Sequence, residues 1–107
     1  MTRKEALAEL IAKVEAGEPI LHPLPAWWTT KEWVNSVEAF EGSLDAAKAL
    51  HEAVLPGAWA HVRYAGKYGH ATVDVKGEEY DANNADNPAR AWLLAILRAL
   101  HAQEAAE

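Results

Sequence analysis

Arg63, Lys67, Tyr68 and His70 crowd around the short segment Gly66-Lys67-Tyr68-Gly69. Two cations, an imidazole and a phenol at that spacing suit one kind of chemistry, the holding of an anion against an aromatic ring. A phosphate loop of the Walker type needs a strand, a longer glycine loop and a helix in succession, and this segment is too short and lies between two alternating stretches. As a solvated hairpin turn it needs no further explanation. A second place for an anion is the start of the last helix, where Asn84 and Asn87 offer donors beside free backbone amides. Against that use, Asp86 as a cap occupies the same donors.

The other concentration of binding residue types is aromatic. Of the five tryptophans, Trp27, Trp28 and Trp33 lie between Pro19 and Phe40, a stretch without helical or strand period. Adjacent residues of an extended segment point opposite ways, so Trp27 and Trp28 do not share one cover, and one of them is left exposed or buried by a partner. An exposed indole stacks on a nucleobase for about 1–3 kcal/mol or anchors a protein interface. The competing expectation is a folded-back flap in which Trp33 and Phe40 fill the sheet edge. Trp92, in an apolar helix, and Trp59, at the head of a strand, are expected in the core.

Catalytic and metal chemistry find little to work with. Ser36 and Ser43 are the only serines; neither lies in a Gly-x-Ser-x-Gly elbow, and Ser43 precedes a helix as a cap does. The absence of cysteine removes thiolate nucleophiles, disulfides and Cys-based zinc sites, and it fits a reducing compartment. The five histidines, His22, His51, His61, His70 and His101, show no metal spacing, and neither a metal nor another cofactor is expected. His51 reads as a half-buried imidazole on an amphipathic helix. His61 and Asp74, as a cross-strand pair, would orient an acid–base imidazole, or form an ordinary polar pair with no nucleophile in register.

Composition narrows the partners. The formal charge of -6 opposes docking on a phosphate backbone, so nucleic-acid binding is not expected; the acidic residues are interspersed with Lys and Arg, which weakens nucleic-acid mimicry as well. The longest apolar run, Ala91 to Leu97, falls far below the ~20 residues of a membrane span. A cytoplasmic protein is expected. The 107 residues suit one folded unit, 1–107, with an irregular Pro/Trp-rich segment at 19–40.

Local patterns supply the elements that position these residues. Leu7, Leu10, Ile11 and Val14 form one stripe of a first helix, Thr2 to Ala16, with capping-box spacing at Thr2 and Glu5 and a stop at Gly17. Thr29 and Glu32 repeat the capping box, which predicts a short turn near Thr30 carrying Trp33, Val34 and Val37. Ser43 caps a helix to about Leu55 with Leu44, Ala47, Leu50, His51 and Val54 inward, and Pro56-Gly57 ends it. The period then changes from 3.6 to 2. Ala60, Val62 and Tyr64 alternate with Trp59, His61 and Arg63, and Ala71, Val73 and Val75 with Thr72 and Asp74. A turn over Gly66 to Gly69 puts Val62 opposite Val73, Tyr64 opposite Ala71, His61 opposite Asp74 and Arg63 opposite Thr72. Gly77 leads into a third strand near Glu78 to Ala82. Asp86 or Asn87, then Pro88, opens a last helix that runs to about Gln103 and is nearly apolar all round in its first half, so it packs on more than one side, against sheet and helix or against a second subunit.

The class is therefore α+β, in the order α-(short α)-α-β-β-β-α, with helices covering at least one face of a three-stranded antiparallel meander. This order, with Ser43-Leu44-Asp45-Ala46-Ala47 opening a helix, Ala58-Trp59-Ala60 in a Trp-centred strand and Asn87-Pro88-Ala89-Arg90-Ala91 opening the closing helix, resembles the phage α-β-α sandwich domain over roughly residues 43 to 102. The resemblance implies a meander packed between α-helices and a small accessory protein of phage or prophage; it carries over no catalytic residue, and the Pro-Trp insert departs from the family pattern. The expected function is non-catalytic binding of a small nucleotide-like ligand, such as a host defence signal, by a homo-oligomer meeting through its last helix, with Trp27, Trp28, Trp33, Arg63, Lys67, Tyr68 and His70 as the ligand-binding set. The alternative is an inhibitor or adaptor that grips a host or phage protein through the Trp-rich segment.

Overall fold

The computed structural model describes residues 2–19, 28–66, 68–84 and 87–105. The chain is an α+β sandwich with a three-stranded antiparallel sheet, built in the order α1 (Arg3–Ala16), α2 (Thr30–Phe40), α3 (Leu44–Val54), β1 (Trp59–Ala65), β2 (Tyr68–Val75), β3 (Glu78–Asn84) and α4 (Pro88–Ala105). The class and order are those expected. Among the described residues no helix is long and apolar enough to cross a membrane.

Helix ends follow their caps. Thr2 and Glu5 form a full capping box, in which the Glu5 amide donates to Thr2 Oγ1 at 3.1 Å and the Thr2 amide to Glu5 Oε1 at 3.0 Å. Gly17 ends α1 in the left-handed conformation, φ 74°. The Ser43 hydroxyl accepts from the Ala46 amide, and Asn87 Oδ1 accepts from the Arg90 amide, so Asn87 caps α4 with Pro88 as its first residue.

α2 is longer than the turn its sequence suggests. Its inward face is Ser36, Ala39 and Phe40, flanked by half-buried Trp33 and Val37, while Val34 lies exposed. Ser36 interrupts the apolar period at a core position, and its hydroxyl is satisfied within the helix by the Glu32 carbonyl at 2.8 Å. Leu44, expected inward on α3, is also exposed, and Ala46 takes its place in the core.

α4 organises the rest. One side of it packs on β2 and β3, and α1, α2 and α3 pack against its other sides, so Ala89, Ala91 and Leu93 to Leu97 are buried within one chain. The all-round apolar face of α4 is thus used internally. The helices gather on one side of the sheet, α4 on the strands and the others on α4.

His51 ties α3, α4 and the entry to β1 together. The Trp92 indole Nε1–H donates to His51 Nδ1 at 3.3 Å, which leaves His51 Nε2–H to donate to the Ala58 carbonyl at 3.0 Å. Both imidazole nitrogens of the buried ring are used, one accepting and one donating, which defines a single neutral tautomer.

The hairpin register differs from the expected one by two residues. Val62 pairs with Ala71, Ala60 with Val73, His61 with Thr72, Arg63 with His70 and Trp59 with Asp74. The loop between Ala65 and Tyr68 has two residues, Gly66 at φ 60° and Lys67, so Tyr68 and Gly69 belong to β2. A shift of two preserves the faces and replaces the partners. His61 and Asp74 are not a cross-strand pair.

Candidate functional site at the hairpin end of the open sheet face

Strand parity divides the sheet. Ala60, Val62, Ala71, Val73, Tyr80 and Ala82 face α4, and the opposite face carries three cross-strand rows: Trp59–Asp74–Glu79, His61–Thr72–Asp81 and Arg63–His70–Asn83. Tyr68 follows beside the last row. This face is open, with Trp59 73% and Tyr68 49% exposed.

Its polar groups are ordered by short contacts. Thr72 Oγ1 donates to Asp81 Oδ1 at 2.7 Å, the Tyr68 hydroxyl donates to Asn83 Oδ1 at 2.7 Å, and Asp74 Oδ1 accepts from the Gly77 amide at 2.9 Å, which pins the β2–β3 turn. On the helix-facing side of β3 the Tyr80 hydroxyl donates to Glu78 Oε2, and that bond holds the phenol above its ordinary pKa.

Two clefts run along the open face and differ in charge. One, of about 310 Å³, is lined by Trp59, His61, Thr72, Asp74 and Glu79 and carries two carboxylates. The other, of about 380 Å³ at the hairpin end, is lined by Arg63, Tyr64, Ala65, Tyr68, His70 and Asn83 and carries none. Among the described residues no carboxylate pairs with Arg63, whereas Arg98 is paired with Glu15. With the Tyr68 hydroxyl committed to Asn83, the donors that line this cleft beside the phenol ring are the Asn83 amide nitrogen, the Arg63 guanidinium and the His70 imidazole. That combination suits an anion with a flat, apolar portion.

The structure brings together three residues of the expected ligand set, Arg63, Tyr68 and His70, because Arg63 and His70 are direct cross-strand partners and Tyr68 lies two residues from His70 on the same face. Lys67 and Trp27 lie outside the described residues. Trp28 and Trp33 are placed elsewhere: Trp28 packs half-buried against the core, and Trp33 is a half-buried residue of α2 whose Nε1 is buried with no acceptor among the described residues. Neither joins Arg63, Tyr68 and His70 around the hairpin cleft.

Trp59 reverses its expectation. It is the exposed indole of the sheet, and the reason is parity: it shares the face of His61 and Arg63, opposite to Ala60 and Val62. Asn83 lines the cleft without having been marked by the sequence pattern, since β3 runs two residues beyond its expected end. The Asn84 and Asn87 alternative is occupied from within, because Asn84 Oδ1 accepts from the Asn87 amide and Asn87 caps α4. Among the described residues no three His, Asp or Glu side chains form a metal cluster. Comparisons with family models, curated proteins and solved structures find no match to this chain.

Proposed function

We propose that the chain is a non-catalytic binding protein that captures a small nucleotide-like anion at the hairpin end of its open sheet face. Arg63 and His70 meet the phosphate, Tyr68 offers its ring to the base, and the Asn83 amide supplies a further donor. The observation that carries this reading is the adjacency of Arg63 and His70 in a cleft that holds an aromatic ring and no carboxylate. The non-catalytic character is supported by the use of both serines inside the fold, Ser36 on a helix carbonyl and Ser43 as a cap. The wider setting, a phage-type accessory protein sequestering a host nucleotide signal, rests on the resemblance carried by the Ser43, Trp59 and Asn87 segments.

The adaptor alternative draws less support, since Trp28 and Trp33 each commit part of their surface to their own domain. Linear and cyclic nucleotides at concentrations well above their Kd raise the melting temperature of the purified chain, and Arg63→Ala removes the shift; saturation at one hundred times Kd corresponds to about 2.7 kcal/mol. A panel that leaves both melting temperature and indole fluorescence unmoved defeats the proposal.

A further inference from the structure

The second cleft of the open face, at the end away from the hairpin loop, is built for the opposite charge. Its floor is the cross-strand row Trp59–Asp74–Glu79, with His61 and Thr72 of the next row beside it, and its volume of about 310 Å³ lies at the small end of the range for ligand clefts. Strand parity turns the Trp59 indole away from α4, and at 73% it is the most exposed large apolar side chain among the described residues.

The carboxylates beside that indole are held without a counter-charge. Asp74 stands directly opposite Glu79, an arrangement of like charges that costs stability in an antiparallel pair. Elsewhere carboxylates find cations: Glu15 is paired with Arg98 and Glu52 with Lys48. Asp74 Oδ1 accepts from the Gly77 amide, but among the described residues neither Asp74 nor Glu79 makes an ion pair, and none of the residues lining the cleft is a lysine or an arginine. An open indole and two uncompensated negative charges therefore share one small cleft.

We propose that this cleft binds the trimethylammonium group of a small organic cation, with its methyl groups on the Trp59 indole and its charge facing Asp74 and Glu79. The indole and the carboxylates together select this class. A quaternary ammonium is weakly hydrated and gains from the face of an indole. A primary ammonium is strongly hydrated, and exposed ion pairs with carboxylates alone add little. A hard divalent ion is held by oxygen ligands and gains nothing from the ring, and among the described residues no three His, Asp or Glu side chains form a metal cluster. A phosphocholine lipid brings a phosphate that the carboxylate pair repels, so the occupant is a free cation of the choline type. The same repulsion keeps a nucleotide-like anion out of this cleft, which lies two cross-strand rows from Arg63 and His70; the inference does not rest on the ligand reading of that row.

Choline chloride is the probe, with sodium chloride at equal ionic strength as the blank. In NMR spectra of the full chain, choline moves the indole Nε1–H signal of Trp59 saturably and leaves those of Trp33 and Trp92 in place, while ammonium chloride needs a concentration about tenfold higher or more. Saturation transfer from the protein to the choline methyl protons is lost in Trp59→Ala and retained in Trp59→Tyr. Glu79→Gln, and Asp74→Asn, which keeps an acceptor for the Gly77 amide, each weaken choline binding by about threefold to tenfold. Trp59 and Glu79 are exposed, so circular dichroism of their variants is unchanged. A Trp59 signal that stays still at tens of millimolar choline, that moves equally with sodium or ammonium, or that saturates identically in Glu79→Gln overturns the proposal. Co-sedimentation with phosphatidylcholine vesicles that choline displaces overturns the assignment to a free cation.

Discussion

Gly69 shows how one residue sets both the fold and the cleft. It lies buried in β2 opposite Tyr64 and Asn84, and a Cβ placed there would stand 2.2 Å from Pro88 Cα. The missing side chain lets the start of α4 rest directly on the strand that carries Tyr68 and His70. Because the clash is with backbone, no rotamer relieves it, and Gly69→Ala costs about 1–3 kcal/mol, the range of overpacked cores, read as a lower urea midpoint. The same displacement moves β2 relative to α4, so the variant also weakens nucleotide binding. Trp59 and Trp33 make the complementary point about indoles: one is open on the sheet, the other half-buried in α2 with its Nε1 lacking an acceptor among the described residues, and residue type alone does not separate them.

At the scale of elements, local bonds decide where helices begin, and one of them depends on ionisation. The Thr2 backbone amide and hydroxyl hold the Glu5 carboxyl below its ordinary pKa. A carboxyl whose pKa is lowered by folding contributes stability above its unfolded value, and that contribution is lost as pH falls through the lowered folded value. Amide exchange at Glu5 and Ala6 therefore accelerates once the pH drops below the ordinary carboxylate range of about 4.3. Glu5→Gln, which keeps the hydrogen-bond geometry, abolishes this dependence; exchange that follows pH equally in both chains refutes it. The α2 capping box has the same pattern at Thr29 and Glu32, with the Thr29 amide 2.6 Å from Glu32 Oε2.

Across the whole molecule the helical layer is held to α4 by specific polar contacts as well as by apolar packing. Arg90 donates from Nε to the Phe40 carbonyl at 2.9 Å, and its guanidinium carbon lies 3.8 Å from the centre of the Phe40 ring. That carbonyl ends α2, where a cation is favoured by the helix dipole. Arg90→Ala leaves it unpaired and loses about 1.5–3 kcal/mol, as for a hydrogen bond to a charged group, measured by denaturant unfolding. The sheet contacts of α4 do not involve this bond, so β2 amides stay protected while α2 amides exchange faster; uniform loss of protection contradicts this division.

Residue pattern alone marked the helix starts at Thr2, Thr29 and Ser43, a further start at Asp86 or Asn87, the stop at Gly17, and the two-residue alternation that assigns each strand residue to a face. These are legible because capping and parity act within a few residues of chain. Long-range packing set which face is open, since α4 covers the side of Ala60 and Val62 and leaves Trp59 and Arg63 exposed and His70 half-buried. It also decided the register, because the room Gly69 gives Pro88 accompanies a two-residue loop, and it made α2 a full helix by burying Ser36 where the apolar period is broken. Those outcomes depend on contacts between residues far apart in the chain, and no local pattern encodes them.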